Sequence, residues 1–137
     1  YYGAFFRESG GPVRRYYETL DEAAETSGLH IAGQRPYPEV LALFTPELLG
    51  ALGGRLGVAE ESAESEAVAE RVGMLQAGVG YAELVRDYLA TVRDAARTDG
   101  DSPWAAADPK TVERVTAAAT PKAEAIREFL ALPENGI

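Results

Sequence analysis

The chain has no cysteine, one histidine and one tryptophan among its 137 residues, and it has no long apolar run. Without cysteine it can hold no disulfide, thiolate metal site, thiol nucleophile or iron–sulfur cluster. With His30 alone, no pair of histidines can ligate a metal, and any serine–histidine couple must use that residue. A lone histidine is more often a hydrogen-bonded structural residue than a ligand. The longest apolar cluster, "VLALF" at 40–44, falls far short of the ~20 residues of a membrane span. The opening "YYGAFFRESGG" has neither the basic n-region nor the apolar h-region of a secretory signal.

Basic residues are also few. Thirteen Lys and Arg face 22 Asp and Glu, for a net charge of -9. Arg14-Arg15 is the sole basic doublet. Binding to nucleic acid rests on phosphate neutralisation by a basic face, and this chain has none, so neither nucleic acid nor an anionic membrane is an expected partner. The hydrophobic fraction of 46% with 26% charged residues is that of an ordinary globular domain, and the length suits one core. The bias toward Ala, Gly, Val, Arg and Glu resembles the output of a GC-rich bacterial genome. Composition leaves the compartment, cytoplasmic or secreted, open.

Helix signals dominate what is present. Pro12 suits a first helical position, Val13, Tyr16, Tyr17, Leu20 and Ala24 follow helical spacing, and Gly28 suits the residue after a helix end. This predicts a helix over 12–27. Pro36 and Pro38 then break any helix, so 29–45 is expected as an ordered loop, its apolar residues excluding a free linker. Thr45 as N-cap, Pro46 and Glu47 open a helix over 46–62, with Leu48, Leu52, Leu56, Ala59 and Ala63 on one face. Gly50, Gly53, Gly54 and Gly57 weaken it by about 1 kcal/mol each relative to Ala, which suggests close approach by a partner backbone. A long helix over 65–98 carries the stripe Val68, Val72, Leu75, Val79, Ala82, Val85, Leu89, Val92 and Ala96. Its second apolar edge, Met74, Tyr81 and Tyr88, predicts packing on two sides, and its small residues Ala69, Gly73, Ala77 and Gly80 suggest a close crossing. Asp108 caps a last helix over 109–131, whose expected face is Val112, Val115, Ala119, Ala123, Ile126 and Leu130. Pro121 either bends or splits it. The fold class is all-α, an antiparallel bundle of about four main helices in a single domain over 1–137.

No catalytic constellation emerges. The acidic run Glu60, Glu61, Glu64 and Glu66 lacks calcium-loop spacing and reads as a solvated helix end. No serine sits in a G-x-S-x-G elbow, and "GALGGRLG" has no following Lys-Ser/Thr for a phosphate loop. Pairs of carboxylates are too numerous to be informative. What stands out is an aromatic and polar cluster in the first third of the chain: Tyr1, Tyr2, Phe5, Phe6, Tyr16, Tyr17, His30, Arg35, Tyr37 and Phe44. Read plainly, it is core plus docking surface. Tyr1, Tyr2, Phe5 and Phe6 are expected either to dock on another body or to fold back on the helix at 12–27. Read more sharply, the cluster lines a carbohydrate cleft, since Tyr and His offer a flat face and a hydrogen-bonding tip.

The order of motifs, "YYG" and "GGPVRRYYETLDEA", then a loop with His30 and "YPE", then "FTPELLGAL", "AERVGMLQAGVGYAEL" and "AIREFLALPENGI", spans most of the chain. It resembles the C-terminal helical region of large bacterial glycoside-hydrolase-like proteins related to α-glucuronidases, much of them a domain of unknown function. The resemblance implies an upstream (β/α)8 barrel carrying the catalytic carboxylates. This chain would then be a C-terminal fragment, a helical accessory domain that buttresses the barrel and holds no catalytic residue, cofactor or metal of its own. Tyr1 and Tyr2 would end a helix that began upstream. The positions able to line a carbohydrate cleft are His30, Arg35 and Tyr37. The segment between "YYG" and "PVRRYY" is longer than the family pattern. The implied partner is the remainder of the larger polypeptide, with carbohydrate and a homodimer contact as further roles. The alternative is a self-contained helical module for protein–protein contact or dimerisation.

Overall fold

The structure is a computed structural model that describes residues 1–29, 37–96 and 109–133. It is all-α as expected, with no strand among the described residues. The helices are α1 (Tyr2–Phe6), α2 (Gly10–Ser27), α3 (Tyr37–Leu43), α4 (Pro46–Glu61), α5 (Glu66–Ala96) and α6 (Pro109–Ala131), with a 3-10 turn at Arg7–Ser9 between the first two. The chain divides into two compact units, Tyr1–Glu83 and Leu84–Ile137, and α5 contributes residues to both.

The predicted termini of the long helices agree with the structure to within two residues where they are described. Gly28 ends α2 in the left-handed conformation, φ 60°, with its N–H donated to Glu25 O, and Thr45 Oγ1 caps α4 by accepting from Leu48 N at 3.2 Å. Asp108 and the end of α5 beyond Ala96 lie outside the described residues. Helix α6 is one helix through Pro121 rather than two. Pro121 and Ala117 are both exposed, so the Ala117 carbonyl left without its N–H partner lies on the solvent side.

The N-terminal unit holds the core. Phe6, Val13, Ala59 and Val72 form one buried cluster, with Tyr2, Tyr17 and Leu75 packed around it. Leu49, Leu52, Leu56 and Val79 form a second, with Tyr16, Leu20, Phe44, Leu48, Leu75 and Ala82 around it. Helix α2 packs on α4, and both meet the first part of α5 through these side chains.

Several expectations are corrected. Part of the expected loop at 29–45 is helix α3, because Pro38 falls in its first turn, where the missing N–H breaks nothing. The helix that holds Tyr2 runs on to Phe6 rather than ending at Tyr2. The core face of α4 is Leu49, Leu52, Leu56 and Ala59, with Leu48 only half-buried. The glycines of α4 make no close approach: a Cβ on Gly50, Gly53, Gly54 or Gly57 would meet nothing within 4 Å, and the same holds at Gly73 of α5. They lie off the leucine face and away from packed backbone. The close approach belongs instead to Gly10, where a Cβ would sit 2.9 Å from Tyr2 O. On α6 the buried residues are Thr111 and Ala119, while Val112 and Leu130 are exposed, so the face turns about 100° from the expected one at its start.

Candidate functional site

The 3-10 turn organises the N-terminal end of the molecule. The last carbonyls of a helix and the first N–H groups of the next have no intrahelical partners and must find others. At the end of α4, Val58 O accepts from Ser62, Glu60 O accepts from Ala63 N, and Ala59 O accepts from the buried Ser9 hydroxyl at 2.6 Å. Just before α5, Glu64 N donates to Glu8 Oε1 at 2.8 Å. Two successive residues of the turn therefore clasp the α4–α5 connection. To present them, Arg7 takes φ 47°, a left-handed value that costs a non-glycine residue on the order of 1–3 kcal/mol and persists only when its surroundings enforce it. The Glu64 N–H, then its own backbone N–H and the Arg7 charge, hold the Glu8 carboxyl below its ordinary pKa.

Above this clasp the aromatic residues form a connected ladder. Tyr16 and Tyr17 meet edge to face at 4.9 Å, Tyr17 stacks on Tyr2 at 5.6 Å, Tyr2 meets Tyr1 edge-on at 5.7 Å, and Tyr1 stacks on Phe5 at 6.0 Å with rings 9° from parallel. Phe5 meets Phe6 edge to face at 5.1 Å. Burial raises the pKa of Tyr16 and Tyr17, with the neighbouring phenols adding to it, so both stay neutral at ordinary pH. The ladder climbs from core to solvent: Phe6 is 5% exposed, Tyr2 half-buried, Phe5 42% and Tyr1 89% exposed. Of the four rings expected to dock or fold back, Phe6 and Tyr2 thus pack on this chain's own helices, and Tyr1 and Phe5 present an outward surface.

Sequence reading missed Arg71, on α5. Its guanidinium lies 4.4 Å above the Phe5 ring centroid and its Nη1 donates to Phe5 O at 2.6 Å. It both satisfies an orphan carbonyl at the end of α1 and makes a cation–π contact. No local signal could reveal it, because the two residues are 66 apart in sequence. The other expected site residues contribute no geometry: His30 and Arg35 lie outside the described residues, and Tyr37 is the first residue of α3.

The surface therefore offers two flat apolar rings beside a cation. It can stack and donate hydrogen bonds; it pairs no nucleophile with a base. Among the described residues no three His, Asp or Glu side chains gather to hold a metal ion, and no helix is long and apolar enough to cross a membrane. In the C-terminal unit an open groove of about 310 Å3 is lined by Tyr88, Val92, Val115, Thr116, Ala119, Thr120 and Ala123. Its Thr120 hydroxyl is engaged with Thr116 O at 2.8 Å.

Fold and surface together define an all-α helical protein with an outward aromatic face. Comparison with known proteins returned no matching family model, no matching curated protein and no matching solved structure.

Proposed function

We propose that this chain is a helical accessory domain of a bacterial glycoside-hydrolase-like protein, seated against a catalytic barrel through the Tyr1–Phe5–Arg71 surface. The observation that carries the reading is the exposure of Tyr1 and Phe5 on a ladder otherwise packed into the chain's own core. Exposed aromatic surface tends to be covered by a partner, and Tyr, Phe and Arg are the side chains that anchor such contacts. The ordered motifs from "YYG" to "AIREFLALPENGI" supply the class of partner. In this role the domain buttresses the barrel, and His30, Arg35 and Tyr37 border a carbohydrate cleft. Turnover belongs to the barrel.

The test begins with the reading frame upstream of the Tyr1 codon. A frame encoding about 250 residues of alternating strands and helices is expected. The full-length product and this chain are then compared by hydroxyl-radical footprinting. Tyr1 and Phe5 should be protected only in the longer protein. Equal labelling in both would remove the docking surface. A start codon directly before Tyr1 would leave the self-contained interaction module as the reading.

A further inference from the structure

The acidic run that reads as a solvated helix end gains a neighbour when the chain folds. Glu60, Glu61, Glu64 and Glu66 span the α4–α5 connection, and Glu70 follows one turn into α5. The clasp brings this connection against the turn after α1, with Glu64 N 2.8 Å from Glu8 Oε1. Arg71 brings the start of α5 against α1 itself, with Nη1 2.6 Å from Phe5 O. Glu66 and Glu70 precede Arg71 by five residues and one, so both lie within about 8 Å of it along the helix axis. The outward rings of Tyr1 and Phe5 are therefore bordered by carboxylates.

Little offsets that charge. Between Arg55 and Arg86 the sole cation is Arg71, and its guanidinium is turned to the Phe5 ring and carbonyl. Arg7 adjoins Glu8 alone in the sequence. Glu64, Glu66 and Glu70 are exposed, and their carboxylates make no hydrogen bond or ion pair among the described residues. Water satisfies such carboxylates, but it does not favour the bare rings beside them. An aromatic face is the negative side of its quadrupole and attracts cations, as Phe5 already attracts Arg71. Rings and carboxylates thus favour the same charge in whatever covers them.

Resting on the docking role proposed above for the Tyr1–Phe5–Arg71 surface, we infer that the protein face seated there is basic: an apolar pocket ringed by Lys or Arg. An apolar centre with a polar rim is the anatomy of a protein–protein contact. The rim charge guides approach and rejects partners of the wrong sign. A second copy of this chain, at -9, would set carboxylate against carboxylate. The phosphates of nucleic acid or of an anionic membrane would be repelled in the same way.

Two synthetic amphipathic peptides test this on the 137-residue chain. Both carry the same leucines and one tryptophan; one has lysine and the other glutamate at every polar position. The lysine peptide should bind and shift the amide resonances of residues 2–6 and 64–71. Its affinity should fall at least about tenfold between about 0.05 and 0.5 M salt, as screening shortens. Glu64→Gln, Glu66→Gln and Glu70→Gln together should weaken it about tenfold. Tyr1→Ser with Phe5→Ser, which changes no charge, should weaken it as much. Asp21→Asn, Glu22→Gln and Glu25→Gln, an equal change of charge near the end of α2, should leave affinity within about twofold. Each variant is compared at an unchanged helical signal. No binding of the lysine peptide, equal binding of both peptides, or affinity indifferent to the rim or ring variants would overturn the basic face. Footprinting of the longer protein keeps this apart from docking on a barrel. Protection of Tyr1 and Phe5 there without peptide binding would keep the docking and remove the basic face. Peptide binding without that protection would keep the basic face and remove the barrel.

Discussion

In the N-terminal unit Val13, Leu56, Val68 and Val72 are each 1% exposed or less, whereas in the C-terminal unit the most buried described side chains are Thr111 at 7% and Ala119 at 9%. The first unit packs leucines, valines and aromatic rings, mostly from α1, α2, α4 and α5, into two clusters. The second sets the end of α5 beside an alanine-rich α6, joined by Lys122 Nζ to Asp87 Oδ2 at 2.7 Å and by Arg114 Nε to Ala95 O at 2.8 Å. Burial of a large aliphatic side chain contributes about 1.5–3 kcal/mol, and an exposed ion pair about 0–1. Stability should therefore be concentrated in residues 1–83, with the C-terminal unit opening at lower free energy.

The sharpest way to break this comparison is truncation. Leu56→Ala should cost about 2–5 kcal/mol in urea denaturation, because a fully enclosed side chain leaves a cavity. Val112→Ala in α6 should cost under about 0.5 kcal/mol, being half exposed. Equal losses would refute the asymmetry.

Glycine substitutions come next. At Gly10 the added Cβ presses on the Tyr2 carbonyl at 2.9 Å, so Gly10→Ala should destabilise by about 1–3 kcal/mol and loosen α1. Gly54→Ala, in open space, should stabilise α4 by up to about 1 kcal/mol. Thermal melts of the two variants should shift in opposite directions.

Salt and pH divide the units more finely. Lys122→Ala should cost less than about 1 kcal/mol, and the loss should fade as salt is added. Glu8 is held below its ordinary pKa of about 4.3 in the folded chain. Its ionised form therefore favours folding above that value, and the contribution disappears as pH falls through the lowered folded pKa. Glu8→Gln should flatten this part of the acid limb, as read by melting temperature against pH. The same acid dependence in wild type and variant would mean that the clasp on Glu64 N does not form.

Helix positions were legible because caps and breakers act locally: Thr45 with Pro46 starts α4 and Gly28 stops α2 whatever lies around them. Faces were legible where large aliphatic residues repeat, as along Val68, Val72 and Val79, and failed along α6, where alanines on every side give weak directional preference. Helix α3 was hidden because proline reads as a breaker unless its place in the first turn is known. The candidate surface was half legible. The cluster of rings announced it, but which rings face solvent did not.

Propensities, caps and composition, acting within a few residues, suffice for the all-α class, the ends of the long helices and the lack of any thiol. Tertiary structure alone decided that Phe6 lies inside and Tyr1 outside, that Arg71 covers Phe5, that Ser9 and Glu8 clasp the α4–α5 connection, and that Gly10 rather than the glycines of α4 meets another backbone. Each joins residues tens of positions apart or depends on which side of a helix finds a neighbour. Short-range propensity carries no information about either, because the energies involved arise only once the helices have met.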